Sequence, residues 1–228
     1  MAKFDYVLFD LDKTLFDFDA SEKHSLKSTI ENYGHSFNID VLNLFQKINH
    51  ALWDQYDVGE VNHTYVKYKR FERLFESLEI KADFEEAGDL YTSFLSECSQ
   101  LTINSIEVCE KLAHHCKLAI VTNGFSSTQH LRINNSPIKD CFSNVFISDE
   151  IGSQKPNKVF FDFVFKEMGI INKERTIIIG DSIKTDITGG NLAGIKTCWF
   201  NPEKIENKTL IKCDYEIDSL IQLIDIII

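Results

Sequence analysis

Two aspartates separated by one residue follow the first apolar segment of the chain. Residues 6–9 are apolar, Asp10 and Asp12 come directly after them, and Thr14 lies two residues further on. In an extended backbone residues i and i+2 face the same way, so the two carboxylates can share one pocket. Such a pair, with one carboxylate ionised and the other able to hold a proton, suits nucleophilic and acid–base chemistry. A solvated turn capped by Asp and Thr explains the same pattern equally well.

A second acidic pattern follows another apolar run late in the chain. Residues 176–179 precede Gly180, Asp181 and Ser182, and Asp186 follows in the same loop. Acids at the ends of neighbouring parallel strands would form a site of hard oxygen ligands, which suits magnesium. A helix N-cap is the alternative interpretation of Asp181 or Ser182 taken alone.

Two further segments could serve an anionic ligand. Thr122, Asn123 and Gly124 follow an apolar run and would offer a hydroxyl group and backbone N–H donors at the start of a helix. Lys155 would bring a positive charge to an otherwise acidic site, and Pro156 suits the first turn of the next helix. Each signal is weak alone, because TNG is a common turn and an isolated lysine is usually a solvated surface residue.

Short β-branched or aromatic runs precede most of these polar groups and predict buried parallel strands. The predicted strands are residues 6–10, 118–123, 144–149, 176–181 and 196–200. Helical spacing lies between them, at residues 106–115, 126–134, 158–168 and 184–193. Because strand and helix alternate, the sequence predicts an α/β fold with a doubly wound parallel sheet.

Residues 16–100 interrupt this alternation, because they contain aromatic, helix-compatible segments and no convincing strand. Those segments are residues 42–56, 64–78 and 84–96. The interval therefore predicts a helical insertion, with residues 1–15 and 101–228 forming the core. Open α/β sheets bind ligands beyond the carboxyl ends of their strands, so an insertion after the first strand is expected to cover that edge.

The four motifs occur in the order DxDxT, TNG, KP and GDSxxxD, and this order and spacing resemble the haloacid dehalogenase superfamily along the whole chain. The resemblance implies a Rossmann-like core with a helical cap at residues 16–100. It implies that Asp10 is a nucleophile that becomes an aspartyl phosphate, and that Asp12 is the general acid and base. Thr122 would then hold the phosphoryl oxygens, and Lys155 would screen the nucleophile and the phosphate.

The same resemblance implies magnesium as the cofactor. Asp181 would bind the ion together with an oxygen of Asp10 and the backbone carbonyl of Asp12, and Asp186 would support it directly or through water. Dehalogenases of this superfamily lack an acid at the position of Asp12, because halide leaves without a proton. Asp12 therefore implies hydrolysis of a phosphate ester.

A further resemblance links the sequence to the bacterial pyrimidine nucleoside 5'-monophosphate phosphatases, which act on noncanonical pyrimidine nucleotides. It is carried by Leu52, Trp53, Tyr56, Gly59, Arg70, Phe71 and the runs VTNGFS, KPNKVFFD, TDITGGNLAG and TCWFN. It implies a nucleoside monophosphate as substrate, with a sugar phosphate or phosphoglycolate as the alternative. Trp53, Tyr56 and Arg70 are candidate base or phosphate contacts, although core packing and a solvated basic face are simpler interpretations.

Composition restricts the classes of partner. Lys and Arg number 24 against 35 Asp and Glu, and the formal charge of −11 would repel a nucleic-acid duplex or an anionic membrane. The apolar residues 220–228 are interrupted by Asp225 and are shorter than the roughly 20 residues of a membrane span. The N-terminus resembles neither a secretory signal nor an anchor. The six cysteines include no CxxC pair, which favours reduced thiols and a cytoplasmic location.

Two other function classes remain open from the sequence. A phospho-accepting signalling receiver also uses a strand-end aspartate, an acidic metal site, a threonine and a lysine. Its acids do not follow the DxDxT order, and it has no insertion like residues 16–100. A catalytically inactive binding protein is the other class, but all the expected acids and Lys155 are present. The sequence predicts no oligomeric state.

Overall fold

The computed structural model describes residues 2–228. They form two compact units, which we call the core unit and the helical unit. The core unit combines the residues up to Phe18 with Ser99–Ile228, and the helical unit is Asp19–Cys98. Across the described chain, no helix is both long enough and apolar enough to cross a membrane.

The core unit contains a parallel sheet whose strands bring the sequence motifs to one edge. Among residues 2–228 it has six strands: β1 Tyr6–Phe9, β2 Lys117–Thr122, β3 Phe142–Ile147, β4 Thr176–Gly180, β5 Lys196–Phe200 and β6 Tyr215–Ile217. Their order is β3-β2-β1-β4-β5-β6, with every neighbouring pair parallel. In the central register Phe9 lies beside both Ile120 and Ile179, so β1, β2 and β4 end side by side.

The helical unit consists of long helices, of which the first was not predicted. They are α1 Phe18–Asn32, α2 Ile39–Asp57, α3 His63–Ser77 and α4 Phe84–Glu97. Asn38, Asn62 and Asp83 fix the starts of α2, α3 and α4, because each side chain accepts backbone N–H groups of the first turn. Between the helices, the rings of Phe45 and Tyr91 lie 5.3 Å apart and form part of an apolar centre.

The helices of the core unit cover both faces of the sheet. They are α5 Ser105–Ala113, α6 Ser126–Asn134, α7 Ser148–Ile151, α8 Lys158–Met168, α9 Thr188–Ala193 and α10 Leu223–Ile227. Alternate residues of β4 enter different apolar clusters: Ile177 and Ile179 pack with Leu112 of α5, and Ile178 packs with Phe161 of α8. This two-faced burial confirms the predicted doubly wound α/β fold.

One local prediction was wrong. Helix α8 begins at Lys158, and its N-cap is Asn157, whose side chain accepts the N–H of Val159 at 3.0 Å. Pro156 therefore lies ahead of the helix and not in its first turn. The segment predicted as a helix at 184–193 is helical throughout, because the π-helical turn Ile183–Ile187 is followed directly by the short α9.

Candidate active site

Three carboxylates meet at the edge where β1 and β4 end. Asp10 follows β1, Asp181 follows β4, and Asp186 lies in the π-helical turn just beyond. One oxygen from each of the three carboxylates lies within 4.8 Å of the others. Asp10 and Asp186 are buried and Asp181 is half-buried. Oxygen ligands of this hardness and number fit magnesium, which takes a few carboxylates and completes its shell with water and phosphate oxygens.

Lys155 places a buried positive charge between two of these acids. Its Nζ donates to Oδ1 of Asp10, to Oδ1 of Asp186 and to the carbonyl oxygen of Val121, each at 2.7 Å. Only 1% of the residue is exposed. An ammonium group has three donors, so all of its hydrogen-bonding capacity is used to fix its position. Asp10 and Lys155 therefore lie together, as the motif order implied.

The ionisation of the cluster reflects burial and crowding. Burial raises the pKa of Asp10 to about 7; Lys155 opposes the shift and the charge of Asp186 adds to it. Burial, followed by repulsion from Asp10 and Asp186, raises the pKa of Asp181 well above its usual range. Burial alone would lower the pKa of Lys155, but Asp10 and Asp186 outweigh it and raise that pKa. The cluster would thus gain from a further cation, which lowers the pKa of carboxylates bound to it.

The backbone around β4 is shaped to admit Asp186. A Cβ atom on Gly180 would lie 2.1 Å from Oδ2 of Asp186, a distance that no side chain tolerates. The same Oδ2 accepts the N–H of Ser182 at 3.1 Å. On the other side, the N–H of Asp181 donates to the hydroxyl of Thr14 at 3.1 Å, which joins the first motif to the last. The glycine is therefore needed for the close approach of the acid.

The TNG segment after β2 supports Lys155. The side chain of Asn123 accepts the N–H of Lys155 and donates to its carbonyl oxygen, both at 2.9 Å. The N–H of Gly124 donates to the hydroxyl of Thr122 at 3.1 Å. Asn123 thus has a positioning role that the sequence did not predict. A direct contact of Asn123 or Gly124 with substrate stays a prediction.

Asp12 differs from the other acids, because its side chain contacts helix α6. Its Oδ1 pairs with Nη1 of Arg132, and its Oδ2 accepts Nε2 of Gln129 at 2.7 Å. Its side chain is not part of the three-carboxylate group. Binding of magnesium through the Asp12 backbone carbonyl stays a prediction. Gln129 and Arg132 were not predicted as site residues. Their only signal in the sequence is their spacing of three on a helix directly after the TNG motif.

The candidate substrate residues of the helical unit belong to aromatic clusters. The half-buried Trp53 ring lies 5.3 Å from the ring of Tyr56, which is buried and stacks on His63 at 4.3 Å. Arg70 is 1% exposed, and its guanidinium lies 4.3 Å from the centroid of the Tyr91 ring. Packing accounts for much of the position of Tyr56 and Arg70. Ligand contacts of all three residues stay predictions.

Comparison with known proteins decides the family. The model of the haloacid dehalogenase-like hydrolases matches residues 7–200, which include all four motifs. The chain belongs to this family. The resemblance read from the motifs is therefore confirmed, and the protein is a family hydrolase with the α/β core described above.

Members of the family match this chain over nearly its full length. The HAD-hydrolase YfnB of Bacillus subtilis (strain 168) is 35% identical over 227 residues, which cover 100% of this chain and 97% of YfnB. A crystal structure of YfnB bound to magnesium matches with a TM-score of 0.93 and covers 98% of each chain. The pyrimidine 5'-nucleotidase YjjG of Escherichia coli (strain K12) is 30% identical and covers 97% of this chain and 96% of YjjG. The pyrimidine 5'-nucleotidase PynA of Streptococcus pneumoniae (strain ATCC BAA-255 / R6) is 32% identical, with 96% and 93% covered.

Proposed function

We propose that this chain is a magnesium-dependent phosphatase of small phosphorylated metabolites, with pyrimidine nucleoside 5'-monophosphates as its preferred substrates. The observation that carries the proposal is the buried Lys155 ammonium, which binds Asp10 and Asp186 at 2.7 Å beside the carboxylate of Asp181. A phosphate monoester is an anion, and a chain of net charge −11 needs a local site of positive charge to bind it. Lys155 and a cation held by the three acids provide that charge.

In the first half-reaction the free carboxylate oxygen of Asp10 attacks phosphorus. The new bond joins Asp10 to the phosphoryl group while the ester P–O bond breaks. Asp12 gives its proton to the leaving oxygen, so an alcohol departs and Asp12 becomes ionised. Lys155 holds the other oxygen of Asp10 and thereby fixes the direction of attack, since in-line placement is most of what phosphoryl transfer needs.

In the second half-reaction water attacks the phosphorus of the aspartyl phosphate. Asp12, now ionised, takes the proton of that water while the bond from phosphorus to Asp10 breaks. Inorganic phosphate leaves, and both carboxyl groups return to their first state. Thr122, at the end of β2, is the candidate donor to the phosphoryl oxygens.

Asp10, Asp181 and Asp186 would hold magnesium, joined by the backbone carbonyl of Asp12. When bound, magnesium would neutralise the phosphoryl oxygens and oppose the repulsion between the carboxylates. The three-carboxylate geometry and the magnesium in the crystal structure of YfnB support this assignment.

The preference for pyrimidine nucleotides is supported by the two relatives named pyrimidine 5'-nucleotidases. We propose that the helical unit is the cap that selects the substrate, since the core motifs address only the phosphoryl group. Trp53 is the strongest candidate for stacking on the base, because its ring is half-buried whereas Tyr56 and Arg70 are buried.

The six cysteines are free thiols, which agrees with a cytoplasmic location.

The test is phosphate release from a panel of substrates in the presence of magnesium. The panel contains deoxyuridine, thymidine and adenosine monophosphates, a sugar phosphate, phosphoglycolate and p-nitrophenyl phosphate. We expect kcat/KM for the two pyrimidine nucleotides to exceed that for the purine nucleotide by at least about 10-fold, the equivalent of roughly 1.4 kcal/mol of transition-state binding.

The other possible results of the substrate panel distinguish the alternative functions. Equal hydrolysis of purine and pyrimidine nucleotides would reject the substrate preference but keep the phosphatase. A sugar phosphate or phosphoglycolate hydrolysed faster than every nucleotide would favour the alternative substrate classes. Stable phosphorylation of the protein without turnover would favour the signalling receiver. No phosphate release from any substrate would reject the proposal.

A further inference from the structure

Two residues of helix α6 hold the carboxylate of Asp12 from both sides. Gln129 and Arg132 are three apart, so they lie on one face of the helix. Nη1 of Arg132 pairs with Oδ1 of Asp12, and Nε2 of Gln129 donates to Oδ2 at 2.7 Å. Nη1 of Arg132 also donates to Oε1 of Gln129 at 3.0 Å, which links the two side chains. We call this pair the α6 clamp.

The clamp consists of buried polar groups, which are costly to bury. Arg132 is 0% exposed and Gln129 is 1% exposed. The guanidinium of Arg132 lies 4.7 Å from the ring centroid of Phe16, which fixes its plane from the apolar side. Burying a guanidinium is favourable only with a well-placed partner, and an apolar residue would fill this position at lower cost. The carboxylate of Asp12 supplies such a partner for Arg132.

Gln129 also joins Asp12 to Thr122, the candidate donor to the phosphoryl oxygens. Its Nε2 donates to the hydroxyl oxygen of Thr122 at 3.0 Å as well as to Asp12. The path of this side chain passes directly over Gly124, where a Cβ atom would lie 2.2 Å from Nε2. The glycine of the TNG motif is thus needed to let Gln129 reach Asp12.

The clamp leaves Asp12 open to a ligand. The side chain of Asp12 is 27% exposed although that of Arg132 is fully buried. A carboxylate has roughly four lone-pair sites, so two hydrogen bonds fix its orientation and still leave a site on each oxygen. The arrangement therefore constrains the direction of the carboxylate without closing it off.

We propose that Gln129 and Arg132 are positioning residues that aim the Asp12 carboxylate at the leaving oxygen and tie it to Thr122. The inference rests on the proposed function, in which Asp12 transfers the proton. Loss of the clamp should then lower kcat/KM most for the substrates whose leaving group needs that proton. A nucleoside leaves as an alkoxide unless it is protonated, whereas p-nitrophenolate leaves without help.

The test compares kcat/KM for thymidine monophosphate and p-nitrophenyl phosphate in Gln129→Met and Arg132→Met. The value of kcat/KM depends only on the steps up to the departure of the alcohol or phenol. Hydrolysis of the phosphoenzyme comes later and does not affect it. We expect kcat/KM for the nucleotide to fall by roughly 10- to 100-fold, which is less than the full contribution of a general acid. We expect little change in kcat/KM for the aryl phosphate. Gly124→Ala, which displaces Gln129 but leaves both clamp residues unmutated, should show the same selective loss.

Two controls separate positioning from folding. Arg132→Lys keeps the buried charge and should recover part of the nucleotide activity. Arg175→Met removes an arginine that pairs with Asp5 at the surface and should change neither substrate. An equal fall for both substrates in Gln129→Met and Arg132→Met, or no fall, would overturn the positioning role. A wild-type chain inactive on both substrates would instead reject the proposed function and this inference with it.

Discussion

The two units each bury a cation, but they surround it differently. In the core unit Lys155 is bound directly by the carboxylates of Asp10 and Asp186 at 2.7 Å. In the helical unit a chain of hydrogen bonds runs from the buried Glu22 through Asn49 to Arg70, with distances of 3.0 and 3.4 Å. The attraction between opposite charges weakens as the distance between them and the polarity of the intervening medium increase. Direct contact, as at Lys155, therefore gives the stronger attraction.

The pKa shifts of the two cations have opposite signs. Attraction to Asp10 and Asp186 outweighs burial at Lys155 and raises its pKa. Burial dominates at Arg70 and lowers its pKa, although Tyr91 and Glu22 oppose that shift. Lys155 is therefore held as a charge among acids, as the proposed phosphate site requires. Arg70 is held by an amide and an aromatic ring, an arrangement that suits the interior of a helical unit.

Among substitutions at the two cations, Lys155→Met should give the largest effect and shows most clearly how Lys155 differs from Arg70. The change leaves Asp10 and Asp186 buried without their cation, so we expect phosphate release to fall by roughly 1,000-fold. The free energy of unfolding should fall by about 3–5 kcal/mol, the usual result of removing one partner of a buried pair. Urea unfolding and a phosphate-release assay measure both quantities.

The control for that experiment lies three residues away. Lys158 is 62% exposed at its side chain and pairs with Asp162 on one helix turn. Lys158→Met should change the free energy of unfolding by less than about 1 kcal/mol and leave turnover intact. Equal losses of stability and of phosphate release in Lys155→Met and Lys158→Met would show that the burial of Lys155 contributes to neither.

Magnesium removal tests the acidic side of the same site. Chelation should abolish turnover and added magnesium should restore it. Calcium should bind without restoring it, because its looser coordination misplaces the nucleophile. Asp181→Ala should raise the magnesium concentration for half-maximal activity by roughly 10- to 100-fold, while Asp162→Ala should not. Full activity in excess chelator would contradict the proposed mechanism.

Trp53→Ala tests the helical unit as the source of substrate choice. Loss of one stacking contact, worth about 1–3 kcal/mol, should lower kcat/KM for a pyrimidine nucleotide by roughly 10- to 100-fold. An aryl phosphate should be affected much less. Phe163→Ala, at a half-exposed aromatic residue of the core unit, is the control. A parallel fall for both substrates, or unfolding, would show that Trp53 only packs against its neighbours.

Arg70→Met should have the smallest kinetic effect if Arg70 is a packing residue. The loss of the desolvated cation–π contact with Tyr91 should lower the free energy of unfolding by about 2 kcal/mol, with kcat/KM unchanged for every substrate. Adding Glu22→Gln should recover part of the loss, because that change removes the remaining buried charge. A selective fall in nucleotide hydrolysis at unchanged stability would instead assign Arg70 to the substrate.

Sequence patterns predicted several elements with the same bounds that the structure shows. Residues 196–200 were predicted as a strand and form β5, and 126–134 and 158–168 were predicted as helices and form α6 and α8. Helix α1 was missed because most of its buried positions are polar. Those positions are Ser21, Glu22, Ser25, Leu26, Thr29 and Ile30. Strand β6 was missed because it has only three residues.

The sequence could predict those residues of the site that lie directly after the end of a strand. The acid motifs follow β1 and β4, so their position at one edge follows from the parallel order of the strands. The α6 clamp was not predictable, because polar residues on a helix usually face solvent. On α6 the reverse holds: Gln129 and Arg132 are buried, while the apolar Leu131 is 50% exposed. The contacts of these two side chains with Asp12 and Thr122 account for that inversion.

In the proposed mechanism Asp10 carries the phosphoryl group, and trapping that group on the protein tests this role most directly. Asp12→Asn should slow hydrolysis of the phosphoenzyme, because water then lacks its base. The variant is mixed with radiolabelled p-nitrophenyl phosphate and magnesium, quenched in acid and digested. We predict label in the peptide that contains Asp10, and none when Asp10→Asn is added. Phosphate release by the wild-type chain with no label at Asp10, or with undiminished turnover in Asp10→Asn, would contradict the account.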